Sequence, residues 1–485
     1  MTSARKLFLI GLDAGDRQFI TEHAAELPNL TTLLAEGRGG PLEAEPMSGA
    51  VWPSFATRSR PDHHGIFHLH QWDAEAMRMR RPDGDWTPIR PFWRDLGDRG
   101  VRVVAFDVPF IFPGPSRNVV EVQNWGSHDL VGPFASNDPS LAKHIRRTFG
   151  LHPMGFEVPV RKTAGQLAKI LGRIVEGTAI KTRLTLALMR EQPWDVFLVA
   201  FGETHRAGHM LWPDPDDPAD PAPPGGVAKV YAAVDRAVGA IVREAGPETD
   251  IVLFALHGMG ANSSQSHLAS IFMRRAMARF RGEPFAAQAG EAPGFMRSLR
   301  RKVPAGLQHA IAELVPQWVR DAVVAREVGG GYHWETTEGF LLASDLAAYL
   351  RLNIKGREAR GVLTPEEAVR LREVLRDEAM ALTLPDGRPV VRRVTFPAAE
   401  GQGPRAHLLP DLLLEWDPDI PQVDEIHSPH LGVIRAPPGT GRGGNHRFNG
   451  FYAHRGPRQD TSVQPRHIAE LGDLVEALVE PPRSP

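Results

Sequence analysis

Three short apolar runs in this chain each lead to a side chain able to bind a metal. KLFLIGL (6–12) is followed by Asp13, DVFLVAF (195–201) by His205 and His209, and DIVLFAL (250–256) by His257. Between such runs lie helical patterns at 28–36, 165–190 and 226–244, with a further strand pattern at 101–107. In the third of these helices Val227, Val230, Val234, Val238 and Ile241 mark one face. Alternation of this kind predicts βαβ units, hence an α/β fold whose mainly parallel sheet is covered by helices on both sides. Ligands of such sheets collect outside the carboxyl ends of the strands. Asp13, His205, His209 and His257 are therefore expected to converge from distant parts of the chain.

A chain of 485 residues exceeds one compact core, so a large domain with insertions or two lobes is expected. Residues 1–261 are read as the N-terminal part of the core, carrying most of the site. Residues 262–335, arginine-rich and weak in pattern, are read as an inserted helical or irregular cap segment. Residues 336–485 resume the strand–helix pattern and supply the rest of the core, closing with an amphipathic helix at 466–479. The loop PDPDDPADPAPPGG (213–226) must be irregular surface chain and is placed to form a rim or lid.

The chain has no cysteine, which excludes disulfides and thiolate metal sites. Any transition metal must be held by His, Asp, Glu or hydroxyl oxygen, which favours zinc, manganese, iron or magnesium. A net charge of −2 gives no sign of a nucleic-acid polymer or a membrane surface as partner. The apolar start is too short for a signal-peptide core or a membrane span, so a cytoplasmic location is expected.

Each candidate has a plainer reading. A carboxylate such as Asp13 after a strand is usually a turn or helix cap. Ser48, in the turn-rich PMSGAVWPSF, is an N-cap by type; beside a metal or helix amides it is also a nucleophile. His205 and His209, four apart, would share one helix face, the spacing of helical zinc-binding pairs, or lie at the core edge. Glu203 and Arg206 flank them as supporting groups or substrate contacts. His446 lies in the glycine-rich GGNHRFNG, where a backbone or ligand requirement must explain the glycines. His63, His64, His68 and His70 form a rival cluster, read mainly as lining a loop near the site mouth. Trp125, His128 and Asp129 form a candidate substrate wall.

Taken together, GLDAGD (11–16), PNLTTLLAEGRGGPL (28–42), SGAVWPSFATRSRPDHHGIF (48–67), ETHRAGHMLW (203–212), LHGMG (256–260), LPDLLLEW (409–416) and NHRFNGFYAHRGP (445–457) resemble the type I phosphodiesterase/nucleotide pyrophosphatase family of the alkaline phosphatase superfamily. The resemblance implies an alkaline-phosphatase-like α/β/α sandwich with a two-metal centre, commonly zinc. It also implies a Ser or Thr nucleophile that attacks phosphorus in line, with a small-molecule phosphoester as substrate.

By position, Asp13, Ser48 and His257 would belong to the metal site beside the nucleophile, and His205, His209 and His446 to the other. Two positions depart from the family pattern. Leu256 and His205 stand where aspartates are expected, so one or two divalent ions are compatible with the sequence. Three histidines with an open fourth position form a known catalytic zinc set that lowers the pKa of bound water to about 7. The readings carried forward are a metal-dependent phosphodiester hydrolase using Ser48, a monoester or sulfate ester hydrolase or phosphoryl transferase, and a catalytically degenerate member that binds a phosphorylated ligand. The sequence fixes no oligomeric state.

Overall fold

The computed structural model describes residues 6–479 apart from 84–85, 87–88, 128–131, 156, 158–159, 214–219, 285–314, 316–318, 320–331, 345, 439–440 and 459–461. At its centre is an eight-stranded sheet. The strands run in spatial order Arg38–Glu43, Asn449–Arg455, Thr249–Ala255, Lys6–Leu12, Val196–Phe201, Val103–Phe106, Val119–Gln123 and Ala135–Ser136. From Thr249–Ala255 to Val119–Gln123 all neighbours are parallel. The remaining pairings, at the two edges, are antiparallel. Leu9 lies in register with both Leu198 and Val252, so the three apolar runs noted above are side by side at the middle of the sheet.

Side chains alternate across a strand, and here both faces are apolar. Phe8, Ile10 and Leu12 enter one core cluster with the helices Pro28–Glu36, Ala164–Glu191 and Gly226–Ala245. Leu7 and Leu9 enter another, with the helices Val51–Thr57, Phe92–Asp98 and Leu471–Val479. The result is the expected three-layer α/β/α arrangement.

Residues 339–435 form a second unit instead of extending this sheet. Gly339–Leu341, Ala348–Leu352, Leu412–Trp416 and Val391–Thr395 make a four-stranded antiparallel sheet. One face packs on the helices Ser266–Phe280 and Pro365–Met380. Its opposite face, through Phe340, Tyr349 and Leu413, packs on Met47, Phe67 and Trp72. Among the described residues, the main sheet takes only Asn449–Arg455 from the C-terminal third. Of the stretch expected to be an insertion, 262–335, Ser266–Phe280 is a helix packed on this small sheet, while most of 285–331 lies outside the described residues. Among the described residues no helix is long and apolar enough to cross a membrane.

Candidate active site

The carboxyl ends of the three central strands converge. Asp13 leaves its strand with its N–H donating to the Phe201 carbonyl (3.0 Å), while its own carbonyl accepts from Thr204 Oγ1 (2.6 Å). These two bonds tie the loop to the start of the helix Glu203–Leu211, every residue of which is buried. His205 and His209 project from one face of that helix, as the four-residue spacing requires, with their Nε2 atoms 2.9 Å apart. His257 lies two residues beyond the end of the third strand.

His446 lies on a short strand, Gly444–Arg447, paired antiparallel with Gly258–Ala261 so that it opposes Met259. The glycines are needed because this ribbon passes against the His205/His209 helix. A Cβ on Gly444 would lie 2.4 Å from the Gly208 carbonyl oxygen, and one on Gly443 would lie 1.9 Å from that of Trp212. The His446 ring centroid is then 4.7 Å from those of His205 and His257 and 4.8 Å from that of His209.

Two overlapping groups of donors result, His205/His209/His446 and Asp13/His205/His257, each with ligand atoms within 4.8 Å of one another. All five side chains are buried. Burial alone would raise the Asp13 carboxyl, but His205 and His257, with an N–H bond from Trp52, hold it well below the usual carboxylate range. The Trp52 indole donates to Asp13 Oδ1 at 2.9 Å. Trp52 lies one helical turn beyond Ser48, which is partly exposed and opens the turn Ser48–Ala50 leading into the helix Val51–Thr57. Gly49 packs on the backbone of His68 with no room for a side chain (a Cβ would be 2.5 Å from His68 Cα). Leu256 is fully buried in the apolar cluster that contains Trp52, Phe55 and Phe254.

A second polar constellation lies behind the histidine helix. Lys181 Nζ is 2.7 Å from Asp107 Oδ2, 3.6 Å from Glu203 Oε2, and donates to the Ala200 carbonyl at 2.6 Å. Arg206 Nη2 donates to the Ser127 carbonyl (2.8 Å), and Asp107 accepts from the backbone N–H groups of Trp125 and Gly126 and from Ser127 Oγ, each at 2.8 Å. Lys181, Glu203 and Arg206 are completely buried. Glu203 sits in the low-dielectric interior, which would raise its pKa, yet Lys181 and His152 hold it down at about 2. Sequence reading singled out Glu203 and Arg206 but missed Lys181 and Asp107. A signal existed: Lys181 interrupts the apolar stripe Ile170, Ile174, Leu184, Leu188 of its helix, where a lysine needs a buried counter-charge.

Of the rival histidines, His64 is held by structural partners. His64 Nδ1 accepts the Ile66 backbone N–H (3.1 Å), so in the neutral ring Nε2 carries the proton and donates to Ser54 Oγ (3.0 Å). That tautomer cannot take a proton from Ser54, and the pair ties helix Val51–Thr57 to the 61–66 turn. Burial pushes the His64 pKa from 6.5 down to about 3. The stability linked to neutral His64 is complete above pH 6.5 and is lost as the pH falls towards about 3. His64→Gln, which can keep both hydrogen bonds, is expected to flatten the acid limb of the urea midpoint over that range, by up to about 1.4 kcal/mol per pH unit. An unchanged slope would contradict this. Trp125 is buried in the core, with its indole donating to the Gly150 carbonyl (3.0 Å), and so provides no substrate wall; His128 and Asp129 lie outside the described residues.

The profile of the type I phosphodiesterase/nucleotide pyrophosphatase family matches residues 7–418. The chain belongs to that family. It is thus a member of a family of phosphoryl hydrolases, as the motifs implied. No curated protein matches the chain. Among solved structures, it is similar to phosphonoacetate hydrolase from Sinorhizobium meliloti 1021 in complex with phosphonoformate, at 14% identity and a TM-score of 0.49, covering 98% of this chain and 96% of that one. It is also similar to murine ectonucleotide pyrophosphatase/phosphodiesterase 5, in an inactive form with AMP, at 11% identity and a TM-score of 0.47, covering 99% and 96%.

Proposed function

We propose that this protein is a metal-dependent hydrolase of a phosphodiester or related phosphoryl ester, with Ser48 as nucleophile. The observation that carries this reading is the convergence of His205, His209 and His446 beside Asp13, at the end of the sheet to which Trp52 ties the Ser48 segment. Imidazoles four apart on a helix, joined by a third from a neighbouring ribbon, fit a divalent ion of the zinc, manganese or iron type. Such an ion, when bound, supplies Lewis-acid stabilisation of charge on the reacting oxygens.

The protein's own groups do the rest. The Ser48 oxygen attacks phosphorus, forming a seryl–phosphoryl bond as the bond to the leaving alcohol breaks, and its proton passes to solvent or the leaving oxygen. Water then cleaves the seryl ester and regenerates Ser48. Met47, packed under the small sheet, and Tyr349, whose hydroxyl donates to the Pro46 carbonyl (3.2 Å), hold the serine segment in place between the two units. Membership of the phosphodiesterase/nucleotide pyrophosphatase family supports a small-molecule phosphoester as substrate.

Elemental mass spectrometry, with a panel of chromogenic diester, monoester and sulfate substrates, tests the proposal. Bound metal that is lost in His209→Ala, together with diester turnover, is the expected result. Preference for a monoester or sulfate would redirect the substrate class within the same chemistry. Leu256, buried in the apolar cluster, favours one other reading, a member that binds a phosphorylated ligand without turnover. Metal-free protein, inactive on the whole panel, would establish that reading and sink the hydrolase.

A further inference from the structure

The helix Glu203–Leu211 has a weakly secured start. Its N-cap is Gly202, which has no side chain to bond the free N–H groups of the first turn, and His205 lies within that turn. Where such a helix begins, and how it is rotated, must therefore be set by groups outside it. One tie is the Thr204 hydroxyl on the Asp13 carbonyl. The buried charges behind the helix supply the others.

Lys181 Nζ reaches both sides of the strand–helix junction. It donates to the Ala200 carbonyl in the strand (2.6 Å) and lies 3.6 Å from Oε2 of Glu203, the first residue of the helix. Asp107 Oδ2, at 2.7 Å, anchors that ammonium to the end of the neighbouring strand Val103–Phe106. The same carboxylate gathers the N–H groups of Trp125 and Gly126 and the Ser127 hydroxyl, and the Ser127 carbonyl accepts from Arg206, the residue after His205. His152, 3.4 Å from Glu203 Oε1, closes the far side, seated on Gly177 where a Cβ would lie 2.1 Å from its Nε2. Asp107 itself has a φ of 62°, in the left-handed region, which a residue other than glycine keeps only where its surroundings hold it.

Resting on the hydrolase reading, we infer that Lys181 and Asp107 are positioning residues for the metal centre, fixing the depth and rotation of the helix that carries His205 and His209. Neither touches ion or substrate. His205 belongs to both groups of metal-binding side chains, so the role is the same whether one ion or two are held. Apolar packing alone would also stabilise this junction, but it is not directional, whereas a satisfied buried polar network specifies one arrangement. A site of this kind must be held within about 0.5 Å of its working geometry by such supporting groups.

Cobalt(II) titration of the metal-depleted full chain, followed by visible absorption and chelator competition, tests the inference. It is run without denaturant on folded protein, where a loss of stability alone leaves affinity unchanged. Lys181→Met is expected to bind cobalt about 10-fold more weakly, with an altered visible spectrum. Lys181→Met combined with Glu203→Gln should be more stable than the single variant yet bind no better, because the tie across the junction is absent from both; it also decides the question if the single variant does not fold. Leu371→Ala, in the core of the small unit, should lose stability but keep the affinity and spectrum of wild type. Wild-type affinity and spectrum in the Lys181 variants would overturn the inference and leave the hydrolase standing. So would an affinity that falls as far in Leu371→Ala. No cobalt bound by folded wild type would overturn the metal centre, and the hydrolase reading and this inference with it.

Discussion

Ser48→Ala is expected to lose diester turnover by roughly 10³-fold or more, the scale seen when an enzyme's covalent nucleophile is removed. Its metal content should equal that of wild type, because the three histidines lie on other segments, the helix Glu203–Leu211 and the ribbon strand Gly444–Arg447. Its stability should also change little, since Ser48 is partly exposed. Single-turnover kinetics provide the check: wild type should release the alcohol in a burst and Ser48→Ala should show none. A loss of less than about 10-fold, with no burst in either protein, would mean that water attacks phosphorus directly and Ser48 only assists.

Lys181→Met is expected to cost about 3–5 kcal/mol of folding stability, the usual penalty for removing one member of a fully buried ion group. Methionine fills the space but leaves Asp107 and Glu203 in the interior without their shared cation. Urea unfolding monitored by tryptophan fluorescence reads the loss as a lower midpoint. Lys181→Met combined with Glu203→Gln should recover part of it, because one of the two uncompensated carboxylates is then gone. A single variant within about 0.5 kcal/mol of wild type would show that these charges do not need one another.

The central fold was legible because each apolar run is covered on both faces, and continuous burial leaves a strong mark on sequence. Lys6–Leu12, Val196–Phe201 and Thr249–Ala255 fall within a residue of the runs expected for them. The edge strands were harder to see. Arg38–Glu43, with the sequence RGGPLE, buries only Leu42, so there is no apolar run to find. Gly444–Arg447 is a strand only because glycines let it lie against a helix, and glycine ordinarily signals a loop. The site residues on the strand ends could be located from topology alone. Their hydrogen-bond roles could not: that Asp13 faces a histidine and a tryptophan, and that Leu256 turns towards Phe254, depends on packing between segments far apart in the chain.

The pairing of Gly258–Ala261 with Gly444–Arg447 has a consequence for assembly. Two histidines of the cluster sit on one helix near the middle of the chain, whereas the third arrives on a strand close to the other end. During synthesis His205 and His209 emerge long before His446, and a partial chain cannot complete the set His205/His209/His446. Contacts this distant in sequence form late in folding. Under the proposed metal centre, capture would wait until the ribbon has zipped against the helix, and tight loading would report that the whole chain has folded.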